Sequence, residues 1–443
     1  MTSSSSISNS PPLEISDKQR RNAIIASGLG WSLDLFDLFI LLYVAPAVSV
    51  LFFPSSSPTL SLAAVYASSA VALIIRPLGS AIFGQYADAH GRKGAMTIAM
   101  VGTGVTTAAF GLLPTIVQAG VVAPILFLVL RLIQGVFIGG VVAATHTIGT
   151  ESVSPRWRGT MSGFVGGGAA LGALLAALVF TIVSNLFPGD QFLSWGWRWM
   201  FFSGLLSAVL GMFIFKNLEE SPYFKQAQQA RLNKRATVAS VSPLRTIFSG
   251  DYRAVLCVNL LITFGGGAAY YLTSGYMPSF LRLVNELPNS EASKVLVAAS
   301  VVAFAASMLA GFVSDFIGRK KTFLLVGVSA VICLPLLVTG MAQARSVEQV
   351  LPYALGIAFF GNAAYAPILI FLNERFPTAL RASGTALSWS IGFAIGGLAP
   401  TFVSLFSEHV SDIPRMLAMV IGSVFIIYIL GALIAPESKG EFK

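Results

Sequence analysis

Long apolar runs separated by short polar loops recur twelve times along the chain, at residues 22–50, 60–87, 94–115, 121–150, 158–185, 197–217, 253–284, 292–317, 321–342, 348–375, 382–407 and 413–435. Each run is long enough to cross a hydrocarbon core of about 30 Å as a helix with some tilt. The runs are continuous rather than alternating, which excludes a transmembrane β-barrel. The pattern therefore predicts an all-α polytopic membrane protein with spans 1 to 12 in the order of those ranges.

The one long connection, residues 218–252, is polar and basic and divides the runs into two sets of six. The predicted organisation is a disordered cytoplasmic tail at 1–21, six-helix bundles at 22–217 and 253–435 joined by a cytoplasmic linker at 218–252, and a second tail at 436–443. The first 21 residues are rich in Ser, Pro and charge and have no apolar core, so they read as a tail without a cleavable signal. The two sets repeat each other. GQYADAHGRKG follows span 2 and GFVSDFIGRKK follows span 8, with Asp88 and Asp315 separated by 227 residues. Glu151 and Arg158 flank the 4–5 loop as Glu374 and Arg381 flank the 10–11 loop, each pair offset by 223. Two landmarks with nearly one offset indicate a duplication, and parallel six-helix repeats with a midplane site between them are a known transporter plan.

Composition agrees with this plan. The 443 residues are 55% hydrophobic and 11% charged, where a soluble protein has about 25% charged residues. The formal charge of +9 is spread over short loops rather than gathered in one patch, so it does not suggest nucleic acid. With the N-terminus inside, 21 basic residues fall on the cytoplasmic side and five on the other, which predicts both termini in the cytoplasm of a cell-membrane protein. Trp195, Trp197 and Trp199 then sit at the outer start of span 6, where an aromatic belt belongs. Cys257 and Cys333 lie in apolar runs and read as free thiols; His90, His146 and His409 have no metal-ligand spacing, and His146 reads as packed rather than as a proton relay.

Candidate chemistry lies where charge enters the apolar runs. Asp34 and Asp37 in span 1 are three residues apart, so their Cβ atoms share a helix face at about 5–6 Å. Asp34 lies roughly 18 Å into the run, near mid-membrane, where an acid costs on the order of 3 kcal/mol. Arg76 in span 2 and Arg131 in span 4 fall at similar depth. Two acids and two arginines nearly neutralise one another, as a stable buried cluster and a proton switch both require. Burial favours a neutral carboxyl group and a neighbouring arginine a charged one, so a solute occupying the arginine would change the proton's affinity. Proton coupling is expected of Asp34, Asp37 and Arg131. Solute binding is expected of Arg76 and Arg131, bidentate for a carboxylate, and of Asn259, Tyr270, Tyr271, Ser274, Asn362 and Tyr365 in the second half. A structural acid pair satisfied by an arginine is the plainer alternative.

The repeated loop predicts a conformational latch made of Gly84, Asp88, Gly91, Arg92, Lys93, Glu151 and Arg158, with Gly311, Asp315, Arg319, Glu374 and Arg381 as its second copy. Asp88 is expected to face the start of span 11 and pair with Arg92; Asp315 and Arg319 are expected to act likewise toward span 5. Such contacts, made in one orientation of the halves and broken in another, are what a switch needs. GFVGGGAALGALLAA in span 5 and Gly392 with Gly396 in span 11 have the small-xxx-small spacing of closely packed membrane helices.

The 2–3 loop resembles the signature of the major facilitator superfamily. LDLFDLF, IIRPLGSAIFGQYADAHGRK, RLIQGVFIGG, WGWRWMFF with LEESPYF, YYLTSGYMPSFL and FPTALRASGTALSWSIGFAIGGLAP resemble its metabolite:proton symporter branch or a related organic-acid:proton branch. The resemblance implies a monomeric secondary transporter with alternating access and, of the two acids, Asp37 as the proton carrier. One departure stands out: the branch usually has Gly-Gly-Glu after the span 4 arginine, and this chain has Gly139, Gly140 and Val141. The expected function is proton-coupled symport of a small polar metabolite, first an organic anion such as a mono- or dicarboxylate. A sugar or a zwitterionic osmolyte is the alternative, and a non-transporting sensor a remote one. No nucleophile–base pair, metal spacing or phosphate-binding loop points to an enzyme, a cofactor or an ATP-driven pump. The expected partners are the metabolite, the proton and membrane lipid.

Overall fold

The computed structural model describes residues 17–90, 92–151, 153–216, 247–248 and 252–439; within them the side chains of residues 17–20, 23, 84, 85, 87–90, 92, 93, 141–151, 155, 215, 216, 378, 379, 381 and 382 are not described. Eleven described helices are long and apolar enough to cross a membrane: Ile24–Phe52, Pro58–Phe83, Val122–Gly140, Arg158–Leu186, Phe192–Ile214, Tyr252–Leu283, Asn289–Ile317, Arg319–Met341, Val347–Arg375, Ser383–Leu405 and Val410–Ile434. The shorter apolar helix Gly94–Phe110 takes the place of span 3. The first helix begins at Asp17, inside the stretch expected as a tail. Most of the expected linker lies outside the described residues.

Large apolar side chains such as Ile74, Val129, Phe213, Leu336 and Ile434 are exposed along the bundle's flanks. In water such a surface would aggregate; in a bilayer it meets lipid. The tryptophan cluster divides by depth. Trp195 and Trp199 are exposed, whereas Trp197 is buried and packs edge-on against Phe52 at 5.5 Å.

The helices that meet across the two sets of six have characteristic surfaces. Span 5 lies along span 8, and a Cβ at Gly163 would strike the Ser307 carbonyl, one at Gly311 the Gly159 carbonyl. Backbones this close pack by dispersion without any side chain between them. At the tryptophan end, span 2 closes on spans 7 and 11. Tyr66 stacks on Tyr276 at 5.2 Å, its hydroxyl lies 2.8 Å from Ser279 Oγ, and Thr59 Oγ1 donates to the Ser407 carbonyl at 2.7 Å.

Around the centre, the first-half helix span 1 runs unbroken from Asp17 to Phe52, while three second-half helices are interrupted. Span 7 passes through a wider π-turn at Tyr271–Gly275. Span 10 stops at Ala363 and resumes at Ile368, and span 11 stops at Gly396 and resumes at Ala399. Interruptions of this kind re-aim side chains and are tolerated in a membrane where other groups satisfy the freed backbone.

Candidate substrate and proton site

Asp34, Asp37, Arg76 and Arg131 are all buried, at 1%, 1%, 6% and 2% exposure, so none faces lipid. The shared helix face does not give the two acids shared neighbours. Asp34 lies close to Arg76, and both lie near the second-half rings of Tyr271 and Tyr365. Both Asp34 oxygens, and Nε of Arg76, have no hydrogen-bond partner among the described residues. Asp37 looks instead into the first half. Ser207 Oγ of span 6 donates to Asp37 Oδ2 at 2.8 Å and has the Gly204 carbonyl at the same distance.

Arg131 completes this second pocket from span 4. Its Nη1 donates to Gln134 Oε1 at 2.6 Å, Gln134 Nε2 donates to Thr107 Oγ1 at 2.7 Å, and Thr107 lies close to Asp37. The guanidinium lies over the rings of Phe110 and Phe127, 4.5 and 5.3 Å from their centroids. Its Nε and Nη2 have no partner among the described residues. Gln134 stands three residues after Arg131, on the same face of the helix, a spacing that makes it readable in hindsight.

Beside Asp34 and Arg76 stands a set of aromatic rings contributed by both halves. Trp31 of span 1 donates from Nε1 to the Tyr365 hydroxyl at 3.1 Å and meets Trp389 edge-on at 5.8 Å. Tyr365 packs on Tyr270, Trp389 and Phe393 at 5.1, 5.4 and 5.5 Å, and Trp389 stacks on Phe393 at 4.2 Å. Tyr270 also meets Phe39 at 5.9 Å. Tyr270, Tyr271 and Tyr365 were expected from the sequence; Trp31, Trp389 and Phe393 were not. Trp31 precedes Asp34 by three residues and was the available signal.

The other expected second-half residues divide. Asn362 Nδ2 donates to Ser274 Oγ at 3.0 Å, and Ser274 lines a void of about 20 Å³ bounded by Phe39, Tyr43 and Tyr270, room for one water molecule. Asn259 stands apart, against Ser388 of span 11 at 3.5 Å, eleven residues or about 16 Å along the helix from Tyr270. On the far side of Tyr43 an open cavity of about 450 Å³ reaches the tryptophan end between spans 1, 5 and 6 and spans 7 and 8.

At the opposite end the second copy of the loop motif forms a buried ionic cluster. Asp315 accepts hydrogen bonds from the backbone N–H groups of Gly159 and Thr160, both at 2.7 Å, and from Thr160 Oγ1 at 2.8 Å. It thus caps the start of span 5, where the unpaired N–H groups and helix dipole favour an anion. Arg319, fully buried, donates to Asp315 at 3.0 Å, to Ser314 at 2.9 Å and through Nε and Nη2 to Glu374 at 3.2 and 3.1 Å. Ser438 donates to Glu374 at 2.8 Å, and Glu437 accepts from the backbone N–H of Arg319 at 2.8 Å. Gly318, at φ 95°, admits Glu437 where any side chain would collide with it. Arg158 opens the span 5 helix. Of the remaining latch residues, Gly84, Asp88, Gly91, Arg92, Lys93, Glu151 and Arg381, and of His146, the positions or side chains lie outside the described residues.

Eleven membrane-length helices and the shorter Gly94–Phe110 among the described residues, meeting around buried charges and rings, define a membrane transporter of the major facilitator superfamily. The chain belongs to the sugar (and other) transporter family, which it matches over residues 23–442. It is 30% identical over 425 residues to the proline/betaine transporter of Salmonella typhimurium, across 93% of this chain and 83% of that one. It is 29% identical over 400 residues to the inner membrane metabolite transport protein YhjE of Escherichia coli, across 88% of each. Its fold is similar to that of the proton:xylose symporter XylE bound to 6-bromo-6-deoxy-D-glucose, at a TM-score of 0.74 and 19% identity, covering 97% of this chain and 98% of that one. The protein is therefore a multi-pass membrane transporter and not an enzyme.

Proposed function

We propose that the protein is a proton-coupled symporter of a small zwitterion of the betaine or proline type. The observation that carries this reading is the aromatic box of Trp31, Tyr270, Tyr365, Trp389 and Phe393 beside Asp34 and Arg76. Aromatic faces attract a quaternary or secondary ammonium, by about 2 kcal/mol or more where the site is dry, and an arginine takes a carboxylate. A betaine presents both groups a few bonds apart. An organic anion, the first expectation from the sequence, would use Arg76 but leave the rings without a role, and the proline/betaine relative favours the zwitterion as well. The rings touch across the two halves, so the solute is admitted by parting them, and the wide cavity at the tryptophan end leads to them past Tyr43.

Asp37 is the proton carrier in this scheme. Ser207 supports the assignment because its hydroxyl has a partner in either state of the acid. It donates to a charged Asp37; beside a neutral one it turns its proton to the Gly204 carbonyl and accepts from the carboxyl group. Asp34, close to both Arg76 and Asp37, carries the influence of the bound solute to the proton site. The Asp315–Arg319–Glu374 cluster is the latch that holds one end shut. The distribution of 21 basic residues against five supports an inner-membrane protein with this end, and both termini, in the cytoplasm.

The test is a thermal-shift comparison of purified protein with glycine betaine, proline, lactate and xylose. Bound ligand raises the melting temperature by mass action. Glycine betaine or proline should do so, and lactate and xylose should not. Stabilisation by lactate with no response to either zwitterion would return the assignment to an organic anion.

A further inference from the structure

Span 10 is interrupted beside the aromatic box, and the interruption is held open from the other half of the protein. In an unbroken helix the N–H of Ile370 would donate to the carbonyl of Ala366. Here Ser162 of span 5 stands between them: its Oγ donates to the Ala366 carbonyl at 2.7 Å and accepts from the Ile370 N–H at 3.1 Å. A side chain inserted into a helix rung in this way opens the rung and bends the helix. The neighbouring carbonyl, Ala364, takes the hydroxyl of Tyr428 at 2.9 Å, and Pro367 removes one further donor from the turn. One turn along span 5, Gly166 leaves just enough room for the ring of Tyr365 and the backbone of Ala366. Tyr365 sits within residues 364–367, so the open rung sets where its ring points, and that ring receives Trp31 and packs on Tyr270, Trp389 and Phe393.

We propose that Ser162 is a positioning residue that couples closure of the latch end to completion of the aromatic box, by wedging open the Ala366–Ile370 rung of span 10. The rung has two arrangements, and neither leaves a polar group unpaired. With span 5 against span 10, Ser162 bridges it. When the halves part at the latch end, the serine withdraws. The freed N–H and carbonyl then pair with each other, because neither can stay bare in a membrane protein's interior. Reclosing the rung winds residues 364–367 back toward helix and turns Tyr365 away from Trp31. A solute that prefers the complete box therefore favours the closed latch, and a closed latch favours the solute by the same factor. The inference rests on the zwitterion reading only for the choice of probe; the wedge itself is defined by two hydrogen bonds between the halves.

The experiment places spin labels at exposed Arg156 and Ile434, both at the latch end, in full-length protein carrying Cys257→Ser and Cys333→Ser, and measures the distance between them with and without glycine betaine. Ser162→Ala removes one oxygen from a buried side chain. Without solute it should move the population toward longer distances than the parent shows. The glycine betaine concentration that restores the short distance should rise about three- to tenfold, the effect of one or two lost neutral hydrogen bonds. Ser162→Gly, which removes the same hydroxyl and adds no thiol for a label to react with, should shift the same way, and it serves as the reading if the alanine variant does not fold. Unchanged distances in whichever variant is read would overturn the wedge. If distances shift in the variant while glycine betaine moves neither protein, the wedge stands and the solute assignment falls.

Discussion

Two buried charge clusters in this protein use the same residue types to opposite ends. At the latch end Arg319 is fully buried and bonded to Asp315, Ser314 and Glu374, and Glu374 is bonded again by Ser438. At mid-membrane Asp34, Arg76 and Arg131 are buried as deeply, yet Asp34 has no partner for either oxygen and Arg131 none for Nε or Nη2 among the described residues. Among the described residues, no ion pair within 4 Å joins the mid-membrane acids and arginines, whereas Arg319 makes two. A complete network holds one arrangement in place, and an incomplete one leaves polar atoms that water, a proton or a solute can meet.

That contrast predicts which substitutions break function and which break the fold. The largest functional effect belongs to Asp37→Asn. Uphill accumulation driven by a pH gradient should disappear, while exchange of labelled for unlabelled solute continues; both are read in proteoliposomes. Next comes Glu374→Ala, which strands the buried Arg319 guanidinium with one acid. Breaking a buried pair costs about 3–5 kcal/mol, so the purified protein should melt at a clearly lower temperature. Asp34→Asn supplies the opposite pole of the comparison, because it removes a charge that has no hydrogen bond to lose. Its melting temperature should stay level or rise. If Asp34→Asn proves as damaging to stability as Glu374→Ala, the two clusters are not different in kind.

Smaller effects sharpen the division inside the site. Arg76→Lys keeps the charge but loses the planar fork that binds a carboxylate in two places, and glycine betaine affinity should fall about tenfold, near 1.4 kcal/mol. Trp389→Leu keeps an apolar side chain and removes one aromatic face. On the 0.5–2 kcal/mol scale of such contacts, affinity should fall about three- to tenfold. Binding titrations read both, and equal affinity in the two variants and the parent would leave the box without a ligand.

The spans were legible because twenty apolar residues in a row have few other uses. Asp34, Asp37, Arg76 and Arg131 were legible because an ion in oil is costly enough to need a reason. The aromatic box was not. Trp389 and Phe393 lie in an apolar span in which any large side chain satisfies the pattern, and only the three-dimensional meeting of spans 1, 7, 10 and 11 separates a ring at the site from a ring in the packing. Ser162 was hidden differently, in a run of small residues whose spacing already had an explanation in close helix contact. Asn259 was credited to the site on its polarity alone; its position along span 7 sets it against Ser388 instead.

The central claim is that the incompletely paired mid-membrane cluster takes up a proton together with a zwitterion. Proteoliposomes loaded with a pH-sensitive dye, with no gradient imposed, test it most directly. Adding glycine betaine outside should acidify the interior in the parent protein and leave it unchanged in Asp37→Asn. Glycine betaine uptake by the parent without any proton movement, or an undiminished acidification in Asp37→Asn, would contradict it.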